Sequence, residues 1–431
     1  MCTPYGGDGS AADPRSLAEV DLDRRHVLRL GAAGGAGIVL STALDSPVLA
    51  AKGRKRAYVI VLDGMIPGEI DSGLMPRLKA LRDAGTAFPN ARSLPIMETI
   101  PNHVMMMTGV RPRRNGVPAN AIYDRRAKIH RDLDRPSDLR FPTVIERLRK
   151  QGFSTGTVLS KEYLYGIFGT RANHRWEPFP IIPISGHAPD LFTMQALHSM
   201  VAQHDPNLVF VNLGDCDRWG HTDITGTTLR ALRTAALIQL DLQIGQFVAM
   251  LKRTGRWRNS LIVFLADHSM DWSRPDRVIT LAPRLARDPL LAGRVEVSQN
   301  GGADLLYWTG PRARQAEAVR RMRRIARSTP GVLSTHTPKR LRLGARAGDL
   351  VVYCKAGWRF SDPAPISNPI PGNHGHPATA PIPFFLSGGH PVVRKRRSPA
   401  RARTIDVAPT VGEFFGLRPP RGGYDGTSRL R

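Results

Sequence analysis

At 431 residues, 41% hydrophobic and 23% charged, the chain has the balance of a soluble globular protein and is too long for one simple core, so one large domain with an appended lobe is expected. Its 62 Lys and Arg outnumber 36 Asp and Glu, giving a formal charge of +26; such a surface draws phosphate esters, nucleic acid and anionic membrane alike and does not choose between them. Three cysteines, Cys2, Cys216 and Cys354, exclude a disulfide framework.

The chain opens on an export pattern. Asp23-Arg24-Arg25-His26 precedes a weakly apolar glycine- and alanine-rich stretch over 30–44 and the small residues Ala50 and Ala51. A charged region, a short apolar region and a small-residue cleavage site make residues 1–51 a signal peptide of the twin-arginine type, which exports folded proteins, with cleavage near Ala50 or Ala51. No other segment reads as a membrane span, so the mature chain is expected to be exported, periplasmic or secreted, through the twin-arginine machinery.

From Ala57 the grammar changes. Ala57-Tyr58-Val59-Ile60-Val61-Leu62 is a β-branched apolar run that ends in Asp63. Two further runs, over 207–213 and 260–266, lead to Asp217 and Asp267. Continuous apolar runs are the mark of strands buried on both faces. Helical periodicity over 75–84, 144–151, 188–203 and 227–253 alternates with them, which predicts an α/β fold: a mostly parallel central sheet flanked by helices on both faces. The pattern loosens between 270 and 371 around a very basic helix over 311–328. This predicts a small α+β insertion, a β-α-β cap lobe near 285–370, within a catalytic domain spanning 52–431. The basic run at 394–397 reads as a solvated loop.

Seven ligand-type residues fall on these segments: Asp63, Thr99, Asp217, His221, Asp267, His268 and His374. Asp217 and His221 lie four apart, so one helical turn or a tight loop can aim both at one ion. Asp267 and His268 follow a strand, and His374 lies in the glycine-flanked Gly372-Asn373-His374-Gly375, where an exposed loop histidine is the ordinary reading. Thr99 precedes an apolar helical run; there it serves as a helix cap or as a nucleophile facing backbone N–H groups that stabilise phosphoryl oxygens. Carboxylate and imidazole donors suit zinc, and a metal can ionise a threonine hydroxyl near neutral pH. Cys216, beside Asp217, reads as a buried structural cysteine.

Taken in order, Val61-Leu62-Asp63-Gly64, Thr99-Ile100-Pro101-Asn102-His103, Asn115-Gly116-Val117-Pro118-Ala119-Asn120, Asp217-Arg218-Trp219-Gly220-His221, Ala266-Asp267-His268-Ser269-Met270 and Gly372-Asn373-His374-Gly375 resemble the alkaline phosphatase superfamily. Within it they are most similar to the nucleotide pyrophosphatase/phosphodiesterase family. The resemblance implies an alkaline phosphatase-like fold and two divalent ions, zinc by type. One would be held by Asp217, His221 and His374, the other by Asp63, Asp267, His268 and the Thr99 oxygen. It makes Thr99 the nucleophile, by way of a phosphothreonine intermediate, and Asn120 the group that binds a phosphoryl oxygen. Two departures, Ser269 after Asp267-His268 and Cys216 before Asp217, remove no ligand. Leu159-Ser160-Lys161 also resembles the lysine segment of phosphonoacetate hydrolases, with Tyr163 where those carry a second lysine; Lys161 is thus a candidate contact to a substrate anion, its ordinary reading being a surface lysine.

The expected activity is hydrolysis of a small phosphodiester, nucleotide or phosphonate substrate. The rival enzyme readings are a phosphomonoesterase and a phosphonoacetate-type C–P hydrolase. A reading of another class, a non-catalytic binder of anionic polymers, has no need for Thr99 beside two metal sites, and no stable nucleic-acid complex is expected.

Overall fold

The computed structural model describes residues 54–183, 186–222, 230–361 and 372–431. The export segment, 1–51, lies outside the described residues, as do the first residues of the helix expected from 227. In chain order the principal elements are β1 (Arg56–Leu62), α1 (Pro76–Ala84), β2 (Thr86–Ala87), α2 (Thr99–Thr108), β3 (Ala121–Asp124), β4 (Ile129–Asp132), α3 (Val144–Arg149), β5 (Thr155–Leu159), α4 (Glu162–Phe168), β6 (His174–Trp176), α5 (Asp190–His204), β7 (Leu208–Leu213), α6 (Asp215–Thr222), α7 (Ala231–Arg253) and β8 (Ser260–Leu265). There follow β9 (Val295–Asn300), β10 (Ala303–Trp308), α8 (Gln315–Ser328), β11 (Val332–His336), β12 (Leu350–Cys354), β13 (Phe384–Ser387), β14 (Arg396–Arg397) and α9 (Val407–Phe415).

The main sheet has eight strands in the order β14-β2-β13-β8-β1-β7-β5-β6. The three apolar runs of the sequence are its adjacent central strands. Val59 of β1 is in register with Phe210 of β7 and with Val263 of β8, both pairings parallel. Every residue of β1, β7 and β8 is buried, which is why these runs carry no polar alternation. Parallel neighbours about 4.8 Å apart present their C-terminal ends side by side, and this places the chain after each strand in one crevice. On the far side of β8 the sheet turns antiparallel: β13 pairs with β8 and with β2. Beyond β2 the basic run forms the short exposed edge strand β14 rather than a loop.

Helices cover both faces. Helix α7 packs against α1, α5 and α6, whereas α2 packs against α3 and α9. At 23 residues α7 is long and apolar enough to cross a membrane by length and composition, contrary to the expectation that nothing beyond the leader is. Its apolar residues Leu237, Leu240, Ile244, Phe247 and Leu251 are buried in the main core.

The insertion is larger than a β-α-β unit. It is an antiparallel sheet in the order β9-β10-β12-β11, with α8 packed on β11. Its strands alternate strictly between two cores. Leu305, Tyr307, Val351 and Tyr353 join the main core, while Leu306, Trp308, Val352 and Cys354 join a second cluster with Ala318, Met322 and Ala326 of α8. Strand β9 escapes a sequence reading because its Val-Glu-Val-Ser-Gln-Asn run has little apolar character; the Gly301-Gly302 turn, with Gly301 at φ +59°, makes it a hairpin with β10.

Candidate active site

The crevice at the ends of β8, β1 and β7 gathers the residues that the sequence had spread over more than 300 positions. Asp63 follows β1 directly, and Asp267 and His268 follow β8. A short turn after β7 starts α6, whose one face carries Asp217 and His221 with His221 Nε2 3.4 Å from Asp217 Oδ1. Thr99 is the first residue of α2, and its Oγ1 lies 3.3 Å from His268 Nε2. His374 follows the two-residue strand Gly372–Asn373, which pairs with Asp271–Trp272. It is buried, not an exposed loop histidine, and its ring stacks on His268 with centroids 3.7 Å apart.

Each imidazole is oriented from behind by a backbone carbonyl. His221 Nδ1 donates to Gly372 O at 2.8 Å, His268 Nδ1 to Ser269 O at 3.1 Å and His374 Nδ1 to Met97 O at 3.2 Å. A carbonyl only accepts, so the proton sits on Nδ1 and each Nε2 presents a lone pair to the crevice. Burial lowers all three histidines, and it drives His374 furthest because His268 and His221 stand beside it. They are therefore neutral, as metal ligands must be.

The carboxylates supply the complementary observation. Asp63 Oδ1, Asp217 Oδ1 and Asp267 Oδ2 are buried with no hydrogen-bond partner among the described residues. Acceptor oxygens and unprotonated imidazole nitrogens thus converge, the three oxygens without a donor among the described residues, and a cation satisfies such a set. Two groups lie within binding reach: Asp63, Asp267 and His268, and Asp217, His268 and His374. His268, stacked on His374, belongs to both groups, and His221 Nε2 stands beside the second, 3.4 Å from Asp217 Oδ1.

Lys161 is not a surface lysine. It is fully buried, with Nζ 2.7 Å from Asp63 Oδ2 and 2.8 Å from Asp217 Oδ2. It takes the outer oxygen of each carboxylate and leaves the inner Oδ1 atoms facing the crevice. Burial opposes its charge, but Asp217 and Asp63 outweigh burial and raise its pKa. Burial would likewise raise Asp217; the Lys161 ammonium, the largest opposing influence, holds it well below the usual carboxylate range. Asp267 is pushed well above that range by burial and by the charge of Asp63.

Several supporting residues went unassigned in the sequence. Asn212, inside β7, donates from Nδ2 to Asp63 Oδ2 at 2.7 Å and to His103 Nε2 at 3.0 Å, while Ser160 Oγ donates to Asn212 Oδ1 at 2.6 Å. Its signal was a single amide in an otherwise apolar strand. His103 donates from Nδ1 to Thr99 O at 2.8 Å, and burial lowers its pKa to about 4. Arg233 of α7 bonds Glu69, the Gly64 carbonyl and the Cys216 carbonyl, tying the loops after β1 and β7 together. Cys216 and Cys354 are free and buried, and burial raises both thiols. Asn120 Oδ1 accepts from the Ile100 N–H at 2.8 Å, one residue past Thr99.

Comparison with known proteins bears on the family and the fold. The chain is 21% identical to the bis(5'-adenosyl)-triphosphatase of Mus musculus over 377 residues, covering 84% of this chain and 78% of that one, and 21% identical to the Homo sapiens protein of that name over 388 residues, covering 87% and 81%. Among solved structures, murine ectonucleotide pyrophosphatase/phosphodiesterase 5 superposes with a TM-score of 0.69 at 17% identity, covering 84% of this chain and 96% of that one; an inactive variant of it in complex with AMP superposes at 0.70. Residues 57–376 match the family described as type I phosphodiesterase / nucleotide pyrophosphatase, and the chain belongs to that family.

Proposed function

We propose that the chain is an exported hydrolase of phosphodiester or phosphoanhydride bonds in small nucleotide-type substrates, with Thr99 as nucleophile and two divalent cations, zinc by donor type, in the crevice. Membership of the family carries the reaction class. Names of relatives carry the substrate class: one is a bis(5'-adenosyl)-triphosphatase, and another is solved with AMP. Export rests on the twin-arginine pattern of residues 1–51.

The observation that carries the mechanism is the Thr99 hydroxyl 3.3 Å from His268 Nε2, beside carboxylate oxygens that have no donor among the described residues. Asp63, Asp267 and His268 would hold one cation and Asp217, His221 and His374 the other; bound there, the pair supplies the positive charge that ionises the Thr99 hydroxyl and stabilises the leaving oxygen. Thr99 Oγ1 attacks phosphorus, the bond to the leaving oxygen breaks, and the phosphoryl group passes to Thr99. Hydrolysis of the phosphothreonine restores the hydroxyl. The donor free to follow the phosphoryl oxygens is Asn120 Nδ2. Lys161 pairs with Asp63 and Asp217, which weighs against its reaching a substrate anion.

A panel of a chromogenic diester, its monoester, a dinucleoside triphosphate and phosphonoacetate, on protein of measured metal content, tests the reading. Diester and dinucleoside triphosphate should turn over fastest, chelation should abolish turnover, and Thr99→Ala should lower kcat by at least about 10³-fold while retaining metal. Full activity in Thr99→Ala would falsify the nucleophile assignment, and monoester turnover equal to diester turnover would contradict the substrate class.

A further inference from the structure

The residues on either side of Thr99 both grip Asn120, in opposite senses. Glu98 Oε2 accepts from the Asn120 backbone N–H at 2.9 Å, and the Ile100 backbone N–H donates to Asn120 Oδ1 at 2.8 Å. Side chain holds backbone on one side, and backbone holds side chain on the other, so the two bonds close a ring around the nucleophile. Further bonds fix the neighbouring peptides. The Leu133 N–H donates to the Asn120 carbonyl at 2.8 Å, and Asn300, at the end of β9, bonds both the N–H and the carbonyl of Ala121 at 3.0 and 3.1 Å. Among the described residues no hydrogen bond engages Asn120 Nδ2.

Glu98 is an unusual choice for this place. It is the N-cap residue of α2, yet its side chain makes no cap bond to its own helix. Asp, Asn, Ser or Thr would cap better, and a carboxyl that is only 3% exposed is costly to bury. No salt bridge among the described residues offsets that cost. Glutamine keeps a carbonyl oxygen where Oε2 accepts the Asn120 N–H, so it is the close mimic of this contact.

We propose that Glu98 is a positioning residue: through the Asn120 backbone it sets the placement of Asn120 Nδ2 relative to Thr99 Oγ1, and so governs stabilisation of the transferring phosphoryl group without touching substrate. This rests on the reading of Asn120 as the phosphoryl-oxygen donor. Releasing the Asn120 N–H lets the ring open, and the amide then wanders from the place where charge develops.

The test is steady-state kinetics on the diester with Glu98→Ala, Glu98→Gln, Asn120→Ala and the double variant Glu98→Ala/Asn120→Ala, each matched to wild type in metal content. Glu98→Ala should lower kcat by about 10- to 100-fold with KM within about threefold, and Glu98→Gln should recover most of the loss. The double variant should be no slower than Asn120→Ala alone, because Glu98 acts only through Asn120. Should Glu98→Ala not fold, Glu98→Asp, one methylene shorter, replaces it in the cycle. Losses that multiply in the double variant, or a Glu98→Gln as slow as Glu98→Ala, overturn the positioning role while leaving Asn120 in place. An Asn120→Ala of wild-type activity overturns both.

Discussion

Lys161 and the ring of histidines show how single side chains set the electrostatics of the crevice. A lysine ammonium buried between two carboxylates is strongly coupled to the fold, because removing it leaves Asp63 and Asp217 facing each other without compensation. Lys161→Met should therefore cost the metal-free protein about 3–5 kcal/mol, read as urea unfolding in chelator; a change below about 1 kcal/mol would show that the carboxylates shed their charge instead. His103 gives the pH dependence. Its pKa is about 4 in the folded chain against an ordinary 6.5, so the folded state prefers the neutral ring. The associated stability is present above pH 6.5 and is lost as pH falls through 4, a change of about 3 kcal/mol from this residue alone. The depressed values of His221, His268 and His374 act in the same direction. Unfolding free energy of metal-free protein, followed from pH 7 to pH 4, should fall, and His103→Gln should flatten the slope. A flat profile in the wild type would show that these rings are not held neutral.

At the scale of elements, the site depends on how closely α6 and the Gly372–Asn373 strand approach. A Cβ on Gly372 would lie 2.1 Å from Gly220 O and 2.7 Å from His221 Cα, both helix backbone that cannot swing aside. Gly372→Ala should thus push the His374 segment off α6, at a cost of about 1–3 kcal/mol in stability. The bound-metal count should drop from two toward one, because His221 and His374 separate while Asp63, Asp267 and His268 stay on their strands. Two ions per chain with normal turnover would show that the segment yields elsewhere. The insertion sheet is coupled to the same place. Gly302, in the β9–β10 turn, donates from its N–H to His374 O, and Asn300 holds the residue after Asn120. The insertion thereby touches both the His374 segment and the residue after Asn120.

At the scale of the whole molecule, a formal charge of +26 should draw anionic substrate from solution without entering the chemistry. Raising ionic strength from about 0.05 to 0.5 M should lower kcat/KM for the diester several-fold and leave kcat within about twofold; a kcat that falls in parallel would place the salt effect in the chemical step. Much of this molecule was legible before folding. Three apolar runs ending in carboxylates dictated buried parallel strands, and the 3.6-residue periodicities between them dictated covering helices, because those patterns depend only on which residues avoid water. The candidate ligand residues stood out in the sequence for a like reason, since few side-chain types bind metal. What the sequence did not determine was adjacency. Only the order β8-β1-β7 brings Asp267, Asp63 and Asp217 to one crevice, and only that crevice turns Lys161 from a surface residue into a buried counter-ion and Glu98 from a misplaced cap into a clamp on Asn120. These roles arise from contacts across 22 to 98 positions of chain, and a one-dimensional pattern carries no record of such distances.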